Sequence, residues 1–307
     1  DRADDAKEAL VSLVEDEERT VRIEAVYAAS SLCADELAPA IRKMLTGDDP
    51  DLRVAALEYM VAVEDDSETE TMTRLASEDE DVPVRCMALE ALCTLRPAGG
   101  TELLLAVISR DDQEVPVLRT ALALLRNMEG DHAEPVAKLL DHRRPGVSLE
   151  AAATLAHLGD HRGRARLLEE AVNPSREEER TVALEGLCRI ADDAVLDTAR
   201  KKATGMLTRR DARVYWTGML AAQGDEQALG RLRKLASHRD PMRAALALRV
   251  AGLCSVAAMV QDLENTIRSA GEDETLDGGF ERQGAELAEN GHWWTVGGPG
   301  INHSVIP

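Results

Sequence analysis

Aromatic residues are nearly missing from this 307-residue chain: one Phe, three Tyr and three Trp amount to 2% of it. A globular core of ordinary build draws much of its buried area from such rings. The interior must therefore be assembled from Leu, Val, Ala, Ile and Met, which pack well between closely spaced helices. Cations are also scarce, with 36 Lys and Arg against 57 Asp and Glu and a formal net charge of -21. Nucleic-acid affinity rests largely on cations that neutralise phosphates, so this balance argues against such a ligand and for a protein or peptide partner with a basic face. Cysteine is sparse and odd in number: Cys33, Cys86, Cys93, Cys188 and Cys254 are scattered and form no CxxC pair. That excludes a disulfide framework and casts them as small buried residues in a reducing compartment. No run of 18 apolar residues and no secretory signal pattern occurs, so a cytoplasmic protein without a membrane partner is expected.

What the chain has in abundance is self-similarity. The segment VPVRCMALEALCTL (82–95) supplies a template anchored at Val84. Equivalent anchors are Val21, Leu52, Val117, Val147, Glu179, Ala212 and Met242, spaced 30 to 33 residues apart. So regular a step marks one supersecondary unit copied about eight times. Four residues after the anchors stand Ala25, Ala56, Ala88, Ala121, Ala151 and Ala183, then Trp216 and Leu246. Apolar residues recur at offsets of 8 and 11, as in Leu92 and Leu95 or Leu155 and Leu158. Offsets of 0, 4, 8 and 11 share one stripe of an α-helix and do not fit the two-residue period of a strand.

Pro50, Pro83, Pro116, Pro145 and Pro241 precede five anchors by one or two residues, marking a first helical turn that does not need their missing N–H. Gly130-Asp131, Gly159-Asp160 and Gly224-Asp225 mark short turns, after which a second apolar helix follows. The unit is helix, tight turn, helix. The expected fold is all-α: a right-handed α-solenoid, or superhelix, of about eight helical pairs over residues 1–270, with a groove along its length.

Directly after the anchor come Arg22, Arg53, Arg85, Arg180, Arg213 and Arg243, with Leu118 and Ser148 as exceptions. Acidic residues such as Asp49, Asp79, Asp81 and Asp240 crowd the preceding turns. This suggests a structural arginine ladder in which each guanidinium fork meets carboxylates or turn carbonyls of an adjacent repeat and fixes the stacking register. The unit D-P-x-V-R-x-x-A-x-x-A-L-x-x-L-G-D resembles the short bacterial HEAT-like repeat found in phycobilin lyase subunits and in many interaction proteins. The resemblance covers about residues 16 to 270. It implies a scaffold or adaptor that presents its surface to a protein or peptide, with a bilin-lyase-like chromophore-handling subunit as the alternative.

Enzyme chemistry finds little support. A metal enzyme on this scaffold would resemble deoxyhypusine hydroxylase and its His-Glu pairs, and no His-Glu dipeptide occurs. His157 and His161 have metal-sharing spacing, but Gly159 breaks their helix, so they read as solvent-facing loop residues. His132 and His142 fall at opposite ends of one second helix. No cofactor, metal or catalytic residue is assigned. The acidic stretch 64–81, opposed in sequence only by Arg74, reads as solvated turns, with a dock for a basic partner as the alternative. At the ends, residues 1–15 look like a second helix without its first, either a cap or the continuation of an upstream segment. Residues 271–307 lose the repeat and gain Gly, Phe280, Trp293 and Trp294, as a C-terminal cap or tail. Trp216, Trp293 and Trp294 are the candidate partner or cap contacts.

Overall fold

A computed structural model describes residues 2–96, 98–110 and 112–260, with side chains from residue 6 onward. Every regular element among them is helical. They divide into two compact units, one ending at Pro135 and the other beginning at Val136. The first holds α1 (Arg2–Leu13), α2 (Arg19–Ser31), α3 (Ala38–Met44), α4 (Pro50–Ala62), α5 (Thr69–Glu78), α6 (Val82–Leu95), α7 (Gly100–Ile108) and α8 (Val115–Leu125), and the division falls within α9 (Ala133–Ala137). The second holds α10 (Pro145–His157), α11 (Arg164–Val172), α12 (Glu177–Arg189), α13 (Asp193–Thr204), α14 (Arg210–Ala222), α15 (Glu226–Ala236) and α16 (Pro241–Leu253). Short 3-10 turns at Asp35–Leu37 and His161–Gly163 lead into α3 and α11.

The repeat anchors open the even-numbered helices. Each is the third residue of its helix from α2 to α14, and Met242 is the second residue of α16. In the first unit α2, α4, α6 and α8 pack side by side in chain order, as do α10, α12, α14 and α16 in the second. The odd helices α1, α3, α5, α7, α11, α13 and α15 each pack on the even helix that follows. Sequential layers of helical pairs of this kind make an α-solenoid.

The alanines at offset 4 explain the close layering. Ala56, Ala88, Ala121, Ala151 and Ala183 are fully buried, and a methyl side chain lets neighbouring backbones approach. The even helices are covered on more faces than the anchor stripe alone, since Leu57, Leu89, Leu122 and Leu184 at offset 5 are also fully buried. Each such Leu contributes about 2 kcal/mol of apolar burial. Offset 11 differs from expectation: Leu32, Val63 and Leu158 are only half-buried and Gln223 is exposed, because this position falls at the helix C-terminus, where the layer ends.

The turns recur in most repeats, six of the eight carrying the same left-handed step. Twelve residues after its anchor the backbone turns left-handed at Cys33, Glu64, Gly159 and Gly224, and thirteen after it at Gly130 and Ser255. After Gly159 and Gly224 an aspartate caps the next helix. Asp160 accepts from the Arg162 amide at 2.9 Å and Asp225 from the Ala228 amide at 2.9 Å. Asp49, Asp81 and Asp240 likewise cap α4, α6 and α16 ahead of the first-turn prolines. One expected helix is cut short: α9 has five residues and gives way to i→i+3 turns at Leu139 and Leu140. His132 and His142 are therefore not the two ends of one helix. The expected boundary at 270/271 lies outside the described residues.

Candidate interaction surface

The arginines after the anchors close over the turns that lead into their own helices. Arg22 Nη1 donates to the carbonyl oxygens of Asp16 at 2.8 Å and Glu17 at 2.9 Å, Arg53 Nη1 to Gly47 at 2.8 Å, and Arg85 Nη1 to Asp79 at 2.5 Å. Arg213 donates to Thr208 and Met206, both at 3.0 Å. These carbonyls belong to the arginine's own repeat rather than to an adjacent one as expected, since the turn immediately before the helix is what a first-turn side chain can reach. In two places a carboxylate does come from the following layer. Arg53 pairs with Asp79 at 3.0 Å and Arg85 with Glu114 at 2.6 Å. Asp79 thus serves both layers, its carboxylate holding Arg53 and its carbonyl holding Arg85. The Glu114 backbone amide and the Arg85 guanidinium hold the Glu114 carboxyl below its ordinary range. Arg180 and Arg243 pair within their own first turns, with Glu177 at 2.9 Å and Asp240 at 3.3 Å.

The exception at Ser148 is filled from another helix. Arg166 of α11 donates through Nε to the Ser148 hydroxyl at 3.2 Å and through Nη2 to the Pro145 carbonyl at 3.2 Å and to Glu170 at 2.8 Å. Burial opposes the ionisation of Glu170, but the Ser175 amide and Arg166 outweigh it and leave its pKa below the ordinary 4.5.

Between α14 and α16, with the ends of α13 and α15 beside them, the second unit opens a cleft of about 1020 Å³. Its lining includes Arg210, Arg213, Arg231, Lys234, Arg243 and Arg249 against a single carboxylate, Asp211, and these stand among Val214, Leu235, Met242 and Leu246. Asp211 is already engaged by Arg209 at 3.4 Å. Arg249 donates to the Tyr215 hydroxyl, whose pKa is pushed up to about 12, first by burial and then by Glu177. Arg210 and Lys234 are exposed and have no hydrogen-bond or ion-pair partner among the described residues. The neighbourhood also exposes large apolar side chains, Met242 at 77% and, in the turn whose carbonyls Arg213 holds, Met206 at 93% and Leu207 at 103%. Sequence reasoning missed this surface although a signal was there: residues 201–250 hold eleven Lys and Arg against four Asp and Glu in a chain of net charge -21.

Several expectations are corrected. Trp216 is not a surface contact; it is 1% exposed in the core of the second unit, as the buried stripe at offset 4 requires. Trp293 and Trp294 lie outside the described residues. His157 does not face solvent: Nδ1 meets the Ala153 carbonyl at 2.9 Å and Nε2 meets Glu185 at 3.2 Å, while His161 lies 3.6 Å from Asp192. Different partners hold the two rings, and no group of three or more His, Cys, Asp or Glu side chains among the described residues could hold a metal ion. The acidic turns of 64–81 are not merely solvated, because Asp65 pairs with Arg42 at 2.5 Å and Asp66 with Arg96 at 2.9 Å. Cys33 is exposed rather than buried. Burial raises the pKa of Cys93 to about 11, while a hydrogen bond that the Cys254 thiol donates to neighbouring Cys188, together with burial, raises that of Cys254. Both stay as unreactive thiols. No helix among the described residues is long and apolar enough to cross a membrane.

No protein-family model and no curated protein matches the sequence. Solved structures do. YibA of E. coli superposes with a TM-score of 0.52 at 16% identity, over 81% of this chain and 94% of that one. The complex of CpcE and CpcF of phycocyanin lyase from Nostoc sp. PCC7120 gives 0.50 at 16% identity, again over 81% and 94%. The fold is thus a HEAT-like repeat α-solenoid.

Proposed function

We propose that this protein is a scaffold or adaptor that binds a partner protein or peptide and carries out no catalysis itself. The observation that carries the reading is the exposed apolar surface of the second unit. Met206, Leu207 and Met242 stand in water beside an open cleft, and such surface on a folded chain marks a place where another molecule sits. The fold is consistent with this, because stacked pairs display side chains along a continuous surface. A structural neighbour, CpcE with CpcF, is a complex of two proteins. We assign no cofactor and place the protein in the cytoplasm. Within this reading the arginine ladder takes no part in chemistry, and its cross-layer pairs, Arg53 with Asp79 and Arg85 with Glu114, help to fix the register between layers.

That same neighbour belongs to phycocyanin lyase, which supports a second reading, a chromophore-handling subunit. Affinity capture with the full chain from its source cells separates the two. The scaffold reading expects one protein retained in stoichiometric amount. Recovery of a coloured chromophore or a turnover product in its place contradicts it.

A further inference from the structure

We infer that the cleft between α14 and α16 is the docking site for an acidic amphipathic peptide segment of a partner protein. This rests on the scaffold reading and gives it a location and a chemistry. For two ladder arginines of the first unit a carboxylate of the following layer closes the flank, Asp79 for Arg53 and Glu114 for Arg85. At the corresponding place beside Arg213 the following turn offers Asp240. That carboxylate is already committed, accepting from the Met242 amide at 3.1 Å and pairing with Arg243 at 3.3 Å. Arg213 keeps only its turn carbonyls, and Arg210 and Lys234 have no partner. The rung that the following layer supplies to Arg53 and Arg85 is missing here, in the stretch where the chain's charge turns positive. A ligand carboxylate completes it with charge-assisted hydrogen bonds.

The apolar part of the lining selects among anions. Val214, Leu246 and Met242 line the cleft, and Met206 and Leu207 carry the apolar surface onto the preceding turn. At about 1020 Å³ the cleft already reaches the upper end of small-molecule sites, about 1,000 Å³. A small anion leaves the turn uncovered, whereas a peptide with Leu or Phe beside Glu covers both parts. Single-stranded nucleic acid needs aromatic platforms for its bases, and the aromatic residues of α14, Tyr215 and Trp216, are buried.

Fluorescence anisotropy with the full chain tests this. The probes are a labelled helix-forming peptide of Glu and Leu, the same peptide with Gln for Glu, the same with Gly for Leu, a single-stranded oligonucleotide and phosphatidylserine vesicles. The Glu–Leu peptide is expected to bind, and either replacement to weaken it about tenfold or more. Arg210→Glu with Lys234→Glu is expected to weaken it by about as much. The charge-matched control Lys43→Glu with Arg74→Glu, exposed in the first unit, leaves it unchanged. Equal binding to the Arg210→Glu, Lys234→Glu chain overturns the site. So does preference for the oligonucleotide or the vesicles, or binding that appears only when residues 261–307 are removed, which makes that segment the occupant. A partner captured from cells that ignores the cleft variant overturns this site but leaves the scaffold reading standing. Failure to capture any protein overturns the scaffold reading itself.

Discussion

Arg53 and Asp79 face each other with side chains 9% and 6% exposed, and a charge left alone at such depth is costly. Arg53→Ala is expected to lower unfolding free energy by about 3 kcal/mol, read by urea denaturation. Arg22, bonded only to turn carbonyls and half-buried, should lose about 1 kcal/mol on the same change. Equal losses would mean that the ion pair adds nothing to the ladder. Glu170 gives a pH-dependent version of the test. Its folded pKa lies below the ordinary 4.5, so its contribution is present above that pH and fades as pH falls through the folded value. The melting-temperature gap between the parent chain and Glu170→Gln should be widest near neutrality and close in acid. The arginine pattern was readable because the residue recurs at one offset. The replacement of Ser148 by Arg166 was not, since it joins positions 18 residues apart on different helices.

The left-handed turn recurs after six of the eight anchors, and it recurs in backbone rather than in residue type. Gly224 takes a left-handed φ of 86° with open space around its missing Cβ. Gly224→Ala should therefore cost about 1 kcal/mol from backbone strain alone. Glu64, at φ 54°, holds the equivalent position with a side chain, and Glu64→Gly should stabilise the fold by about 0.5 kcal/mol. Opposite signs in thermal melts are the expected result. Gly163 answers to a different constraint: a Cβ there would lie 2.6 Å from the Ala152 Cα, so Gly163→Ala should cost about 2 kcal/mol through displaced backbone. The Gly-Asp turns were visible in sequence, whereas Cys33, Glu64 and Ser255 in the same role were not, because those residues carry no turn signal. The anchor stripe was legible for a similar reason. The second buried stripe at offset 5 was not, because helices covered on several faces lose the contrast between apolar and polar sides.

At the scale of the whole molecule, a net charge of -21 pointed to a basic partner, while the cleft of the second unit presents the opposite sign. A sum over the chain hides a local reversal, and the pairing of α14 with α16 that gathers those cations is a property of the fold. Partner binding should weaken as ionic strength rises, because the cations that carry it are exposed and screened within about 10 Å at 0.1 M salt. The most direct test of a binding role is hydrogen exchange on the full chain with and without the protein it captures. Slowed exchange is expected in the turn at 205–209 and in the first turns of α14 and α16. Protection confined to the first unit, or no change anywhere, would contradict the account.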